Sequence, residues 1–117
     1  MRSIGGRRIR CRVGGRGVGR VLVRGRSMAP TLRDGDHLLV LWGGSPRPGR
    51  LVVVQWPGRP MSVKRAAFLS DDGWWVERDN PSEGVDSWQV GAVAPEDVLA
   101  VVVVRLWPPR RLREIRP

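Results

Sequence analysis

A chain of 117 residues with 41% apolar content and six Trp is long enough to bury one core, too short for two, and outside the compositional regime of disorder. Its net charge of +10 is unevenly placed: residues 1–26 carry nine Arg and no acid, residues 27–104 carry seven basic and ten acidic side chains, and residues 105–117 carry five Arg and one Glu. A slightly acidic body between basic flanks argues against a fold-wide nucleic-acid footprint, and one Cys (Cys11) with one His (His37) excludes an intrachain disulfide and an ordinary zinc site.

Residues 1–20 form a Gly/Arg-rich leader without periodicity, expected to be disordered. Val21–Arg24 leads into the domain. The turn Arg33-Asp34-Gly35-Asp36 precedes a strand at His37–Trp42, and the Gly/Pro loop 43–49 precedes a second at Leu51–Trp56. After the turn Pro57–Pro60, a third strand is expected at Met61–Leu69 and a fourth at Trp74–Glu77, separated by Asp71-Asp72-Gly73. Asp79–Gly84 reads as a polar loop and Ala94–Val98 as one helical turn. Ala100–Leu106 reads as a last, buried strand, and 108–117 as a basic tail. Short β-rich runs with Gly/Pro punctuation predict an all-β barrel or sandwich. No run approaches the roughly 18–20 apolar residues that span a bilayer, and the leader lacks the apolar core of a secretory signal, so the expected location is cytoplasmic, with peripheral membrane contact through the basic leader as an option.

Of 21 basic residues, 20 are Arg and one is Lys64. Arg cannot give up its proton near neutrality, whereas a desolvated Lys can. A lone Lys inside a strand of an otherwise all-Arg chain therefore has the chemistry of a general base, although one retained surface Lys would look the same. Earlier in the chain, Gly25-Arg26-Ser27-Met28-Ala29-Pro30 places a Ser between a flexible Gly and a stiffened turn. Such a turn can present both a nucleophilic hydroxyl and a free backbone N–H to a substrate carbonyl, with Gly25 and Met28 beside the cleft. His37 reads as a strand residue, and the six Trp as core and rim.

Ser27–Leu32 with Gly35-Asp36 resembles the nucleophile box of signal peptidase I and LexA-like serine–lysine peptidases, and Val63-Lys64-Arg65 resembles their general-base box. Asp79-Asn80-Pro81 with Asp86-Ser87 and Gly91 is similar to the third box, and the similarity covers roughly residues 20–107. The resemblance implies a small coiled β-barrel domain over 21–107, a Ser27–Lys64 dyad, and supporting roles for Pro30, Asp36, Arg65, Asp79, Asn80, Asp86 and Ser87. It implies a protein substrate and neither metal nor organic cofactor. Pro48–Val54, Gly73–Val76 and the Asp79-Asn80-Pro81 turn are similar to one branch in particular, the proteases that mature nickel-type superoxide dismutase by removing an N-terminal propeptide.

Three positions depart from the family pattern. Arg78 stands where a Gly usually precedes Asp-Asn. Gly84 takes the place of a Ser whose hydroxyl helps orient the base, with Ser82 as the nearest substitute. Trp88 replaces an Arg that would form an ion pair. These departures leave an inactive family member open, beside signal-peptide processing and, outside the enzymes, a small nucleic-acid-binding barrel.

Overall fold

Short apolar runs bounded by turn residues become six strands in the computed structural model, which describes residues 17–108. Of the leader expected over residues 1–20 and the tail expected over 108–117, residues 1–16 and 109–117 lie outside the described residues. The strands are β1 (Gly17–Leu22), β2 (His37–Trp42), β3 (Leu51–Val54), β4 (Ser62–Ser70), β5 (Gly73–Glu77) and β6 (Val98–Trp107). One short helix, α1 (Ser87–Val90), and a 3-10 turn at Pro95–Asp97 are the only helical pieces among the described residues. The all-β class predicted from the sequence is thus the observed one.

The strands form one antiparallel sheet in the order β1-β2-β6-β3-β4-β5. β6, last in sequence, lies between β2 and β3, so the first and second halves of the chain are joined through it. β3 explains its unbroken Leu-Val-Val-Val run: Val53 belongs to one core cluster, and Val52 and Val54 to another. A central strand buried on both faces has no polar side to alternate with. The first cluster gathers Val21, Met28, Leu32, Leu38, Val40 and Val102; the second gathers Val52, Val54, Trp56, Trp74, Val76 and Val93. Each fully buried side chain of this size contributes roughly 1.5–3 kcal/mol.

β1 begins at Gly17, inside the stretch read from sequence as leader. Its outward side chains Val18, Arg20 and Leu22 are exposed, so an edge strand held by backbone pairing to β2 leaves little hydrophobic pattern to detect. Gly19 has a packing reason, since a Cβ there would collide with the Trp42 indole on the neighbouring strand.

No ladder among the described residues joins β1 to β5, the two ends of the sheet. Loops bring the ends together instead. Asn80, just after β5, donates its backbone N–H to the Ser27 carbonyl (2.8 Å) and its side-chain amide to the Arg26 carbonyl (2.9 Å). The Asp79 N–H points at the Met28 sulfur at 3.3 Å.

Arg105, counted with the basic flank in the sequence, is a core residue of β6. It is 8% exposed and faces the Asp36 carboxylate at 3.9 Å. Its Nε and Nη1 make no hydrogen bond. Removing one member of a buried ion pair strands desolvated polar groups and leaves a void. Arg105→Ala is expected to cost about 3–5 kcal/mol, read as a large fall in the thermal unfolding midpoint.

Candidate active site

The segment 24–36 between β1 and β2 carries Ser27. The Gly25 N–H donates to the Asp34 carboxylate (2.7 Å), Ala29 N–H to the Arg26 carbonyl (3.1 Å), and Leu32 N–H to the Met28 carbonyl (2.9 Å). These bonds fold the segment into consecutive turns anchored by Met28 and Leu32, each 2% exposed. Pro30 is exposed and follows a cis peptide bond. The Ser27 N–H makes no hydrogen bond with any described residue and is available to an incoming acceptor.

Lys64 lies in β4 opposite Val52, on the sheet face it shares with that residue. Its side chain therefore runs along an apolar surface, and Lys64 is only 3% exposed. Its Nζ is hydrogen-bonded to Ser27 Oγ at 2.9 Å. Burial pushes the Lys64 pKa down from its ordinary value; the Asp86 carboxylate opposes that shift and the Arg78 guanidinium adds to it.

The remaining residues predicted for the site fall into two groups. Arg65 and Asp79 form a two-pronged pair, Nε to Oδ1 at 3.0 Å and Nη2 to Oδ2 at 2.7 Å. Asp79 also accepts from the Thr31 hydroxyl (2.6 Å), and Arg65 donates to the Gly49 carbonyl (2.9 Å). β4 and the segment 24–36 are therefore tied to one carboxylate. Asn80 stitches the Ser27 segment to the end of β5, as described above. Asp86, 4% exposed, accepts from the backbone N–H groups of Arg78 and Trp88, and the Ser87 hydroxyl accepts from Val76 N–H (2.8 Å). Asp36 belongs elsewhere: its carboxylate accepts from Arg33 N–H (2.9 Å) and faces Arg105. Gly25, with its amide engaged by Asp34, serves the turn. Ser82 is exposed, and its N–H donates to Asn80 Oδ1 (3.0 Å).

At the three unusual positions the structure supplies a contact in each case. The Arg78 guanidinium donates to the carbonyls of Gly84 (2.6 Å) and Pro81 (3.2 Å) and to Gln89 Oε1 (3.1 Å). Trp88 donates its indole N–H to Glu77 (3.0 Å) and packs edge-on against Trp75, which stacks on Phe68. Gly84 has φ +83°, and a Cβ there would lie 2.5 Å from Ser27 Cβ and 3.6 Å from its Oγ. The backbone of the 80–86 loop itself forms the wall behind the serine.

Two site features escaped the sequence reading. Thr31 carries a hydroxyl whose partner is 48 residues away. Helix α1 carries a legible signal: Asp86 and Gln89 have capping-box spacing, and both reciprocal bonds are made.

A cleft of about 40 Å³ opens beside Ser27, with Val21, Val23 and Arg24 on one wall and Met61, Ser62 and Val63 on the other. Met28 lines it as well. A β-sheet domain with a desolvated lysine amine on a serine hydroxyl at the foot of such a cleft has the parts of a serine hydrolase. The family model described as Peptidase S24-like matches residues 10–103. The chain belongs to this family, within the LexA and signal peptidase I-like superfamily, and membership brings a serine-peptidase-type function and a protein substrate. No curated protein matches the chain. Among the described residues no helix is long and apolar enough to cross a membrane.

Two outcomes are expected here. Gly84→Ser supplies a hydroxyl at that position but collides with Ser27 and strains a positive φ. It is expected to destabilise by about 1–3 kcal/mol and to shift the resonance of the single lysine in a 13Cε-lysine NMR spectrum. Lys64→Met removes a desolvated amine. Because the folded-state pKa lies below the unfolded one, the amine costs stability at every pH below the unfolded value, and that cost fades only as pH rises through the window between the two. The variant is expected to raise the unfolding midpoint at pH 7 by about 5 °C.

Proposed function

We propose that the protein is a cytoplasmic serine endopeptidase with a Ser27–Lys64 dyad, which removes an N-terminal propeptide. The observation that carries the reading is the 2.9 Å contact between Ser27 Oγ and a lysine that is 3% exposed. Neutral Lys64 takes the Ser27 hydroxyl proton as Oγ attacks the scissile carbonyl. The oxyanion of the tetrahedral intermediate is received by the free Ser27 N–H. The Lys64 ammonium returns the proton to the leaving amine, the C–N bond breaks, and water attacks the acyl-enzyme with Lys64 again as base. Arg65, Asp79, Asn80, Asp86 and Ser87 hold the segments that carry the dyad.

Substrate binding in an extended form has two supports. β1 is an end strand among the described residues, and β4 pairs with β5 only from Arg65 onward, so Ser62–Lys64 have a strand neighbour on the β3 side alone. These two backbone edges flank the cleft. A peptide laid between them could pair with either edge and place small apolar side chains against Val23, Met28 and Val63.

Nickel-type superoxide dismutase is the substrate favoured by the similarity of residues 48–54, 73–76 and 79–81 to its maturation proteases. The test is incubation with the nickel superoxide dismutase precursor, with the product's N-terminus read by mass spectrometry. One defined cut is expected, rising with pH through the lowered folded-state pKa of Lys64 and absent in Ser27→Ala. Lys64→Arg keeps the charge but loses the base, and is expected to cut about 1,000-fold more slowly or not at all. A signal-peptide substrate cut in preference to the precursor would move the assignment to signal-peptide processing. No cut of either, with Ser27 inert to acylation, would leave an inactive member of the family.

A further inference from the structure

The family's orienting hydroxyl has no room in this chain. Gly84 sits where its bearer would be, and its backbone already touches Ser27. Another departure, Arg78, bonds that backbone directly. Its guanidinium makes three of the bonds that fix the 80–89 segment: the carbonyls of Pro81 and Gly84 and the side chain of Gln89. Gln89 in turn accepts from Asp86 N–H at 2.9 Å, and Asp86 accepts from Arg78's own backbone N–H at 3.0 Å. The residue before the Asp-Asn turn thus clasps the segment at its start, middle and end.

We propose that Arg78 is a positioning residue of the Ser27–Lys64 site, replacing the hydroxyl missing at Gly84 by clamping the 80–89 segment so that Gly84 backs the nucleophile. The proposal rests on the dyad reading above. A second consequence follows from charge. Arg78 and Asp86 are the charged groups whose fields act on Lys64, in opposite directions. Of the other charged groups, Arg26 and Arg65 are paired with Glu83 and Asp79, Asp34 accepts from Gly25 N–H, Asp36 accepts from Arg33 N–H and faces Arg105, Arg24 and Arg33 are exposed, and β3 carries no charge. Burial is the main cause of the lowered Lys64 pKa; Asp86 opposes it, and the Arg78 cation adds a smaller push in the same direction as burial, as a like charge must. A neutral serine hydroxyl could orient the amine but would supply no such field.

The chain has one lysine, so 13Cε-lysine labelling reports the titration of Lys64 directly, with no assignment step and no substrate. Arg78→Gln keeps the length and one donor group; Arg78→Met keeps the apolar stem; Arg78→Lys is avoided because it adds a second lysine signal. Acylation of Ser27 is followed with p-nitrophenyl acetate, which needs no propeptide recognition, and Ser27→Ala sets the background. In Arg78→Gln the Lys64 titration is expected to move to higher pH and the acid limb of the acylation rate to move with it. The limiting rate at high pH is expected to fall roughly 10-fold or more from lost positioning.

A folded Arg78→Gln with the wild-type Lys64 titration and wild-type pH profile would overturn the proposal while leaving the dyad intact. If Arg78→Gln does not fold, Arg78→Met is read in the same way. Loss of folding in both would make Arg78 a residue of the fold alone and overturn the assignment. Failure of the dyad reading looks different: Lys64 would titrate as an ordinary lysine in the wild-type chain, or Ser27→Ala would acylate as fast as the wild type.

Discussion

Among the described residues no strand pairs with the outer edges of β1 and β5, and the chain links these two ends of the sheet through loops. β1 runs out into the segment that carries Ser27, and β5 runs out into the segment that carries Asn80 and Gly84. The bonds from Asn80 to Arg26 and Ser27, the Asp79 contact to Met28, and the approach of Gly84 to Ser27 all lie on that seam. Lys64 reaches the same place from β4, whose register with β3 sets its side chain on the face of Val52. The candidate site therefore exists only where the sheet ends meet.

Electrostatics at the seam is organised so that one charge is suppressed and the others are satisfied. Arg65 and Asp79 neutralise each other and bind Thr31, tying β4 to the nucleophile segment. Asp86 is occupied by backbone N–H groups and caps α1. Lys64 has no carboxylate at bonding distance among the described residues; its bonded partner is a neutral hydroxyl. A buried amine in those surroundings is cheaper neutral than charged. Holding an amine in such surroundings costs folding stability, a cost also met at sites tuned for acid–base chemistry.

The same logic accounts for the three departures from the family pattern. A loop that presses its backbone against Ser27 has no space for a side chain at 84, so its position is set from outside, by Arg78. Trp88, where the family has Arg, turns from ion pairing to aromatic packing, edge-on to Trp75 with its indole N–H on Glu77. Family membership brings a serine-peptidase-type function.

The sequence by itself determined the fold class, because Gly/Pro punctuation and short β-branched runs leave few alternatives, and the His37–Trp42 strand was legible to the residue. It also singled out Lys64 by contrast with 20 Arg, since only a lysine can be discharged by burial. It missed the start of β1, where an exposed edge strand of Gly, Val and Arg carries little hydrophobic pattern, and it counted Arg105 with a basic flank when its place on β6 buries it against Asp36. Only the tertiary structure decided which of the motif residues meet. Asp36 stands in the nucleophile box yet serves the Arg105 pair; Thr31, Arg65 and Asp79 converge from three segments; and Gly84 is a requirement of close approach. Those outcomes depend on which loops face one another across the open ends of a sheet, and long-range register of that kind leaves no mark on local sequence.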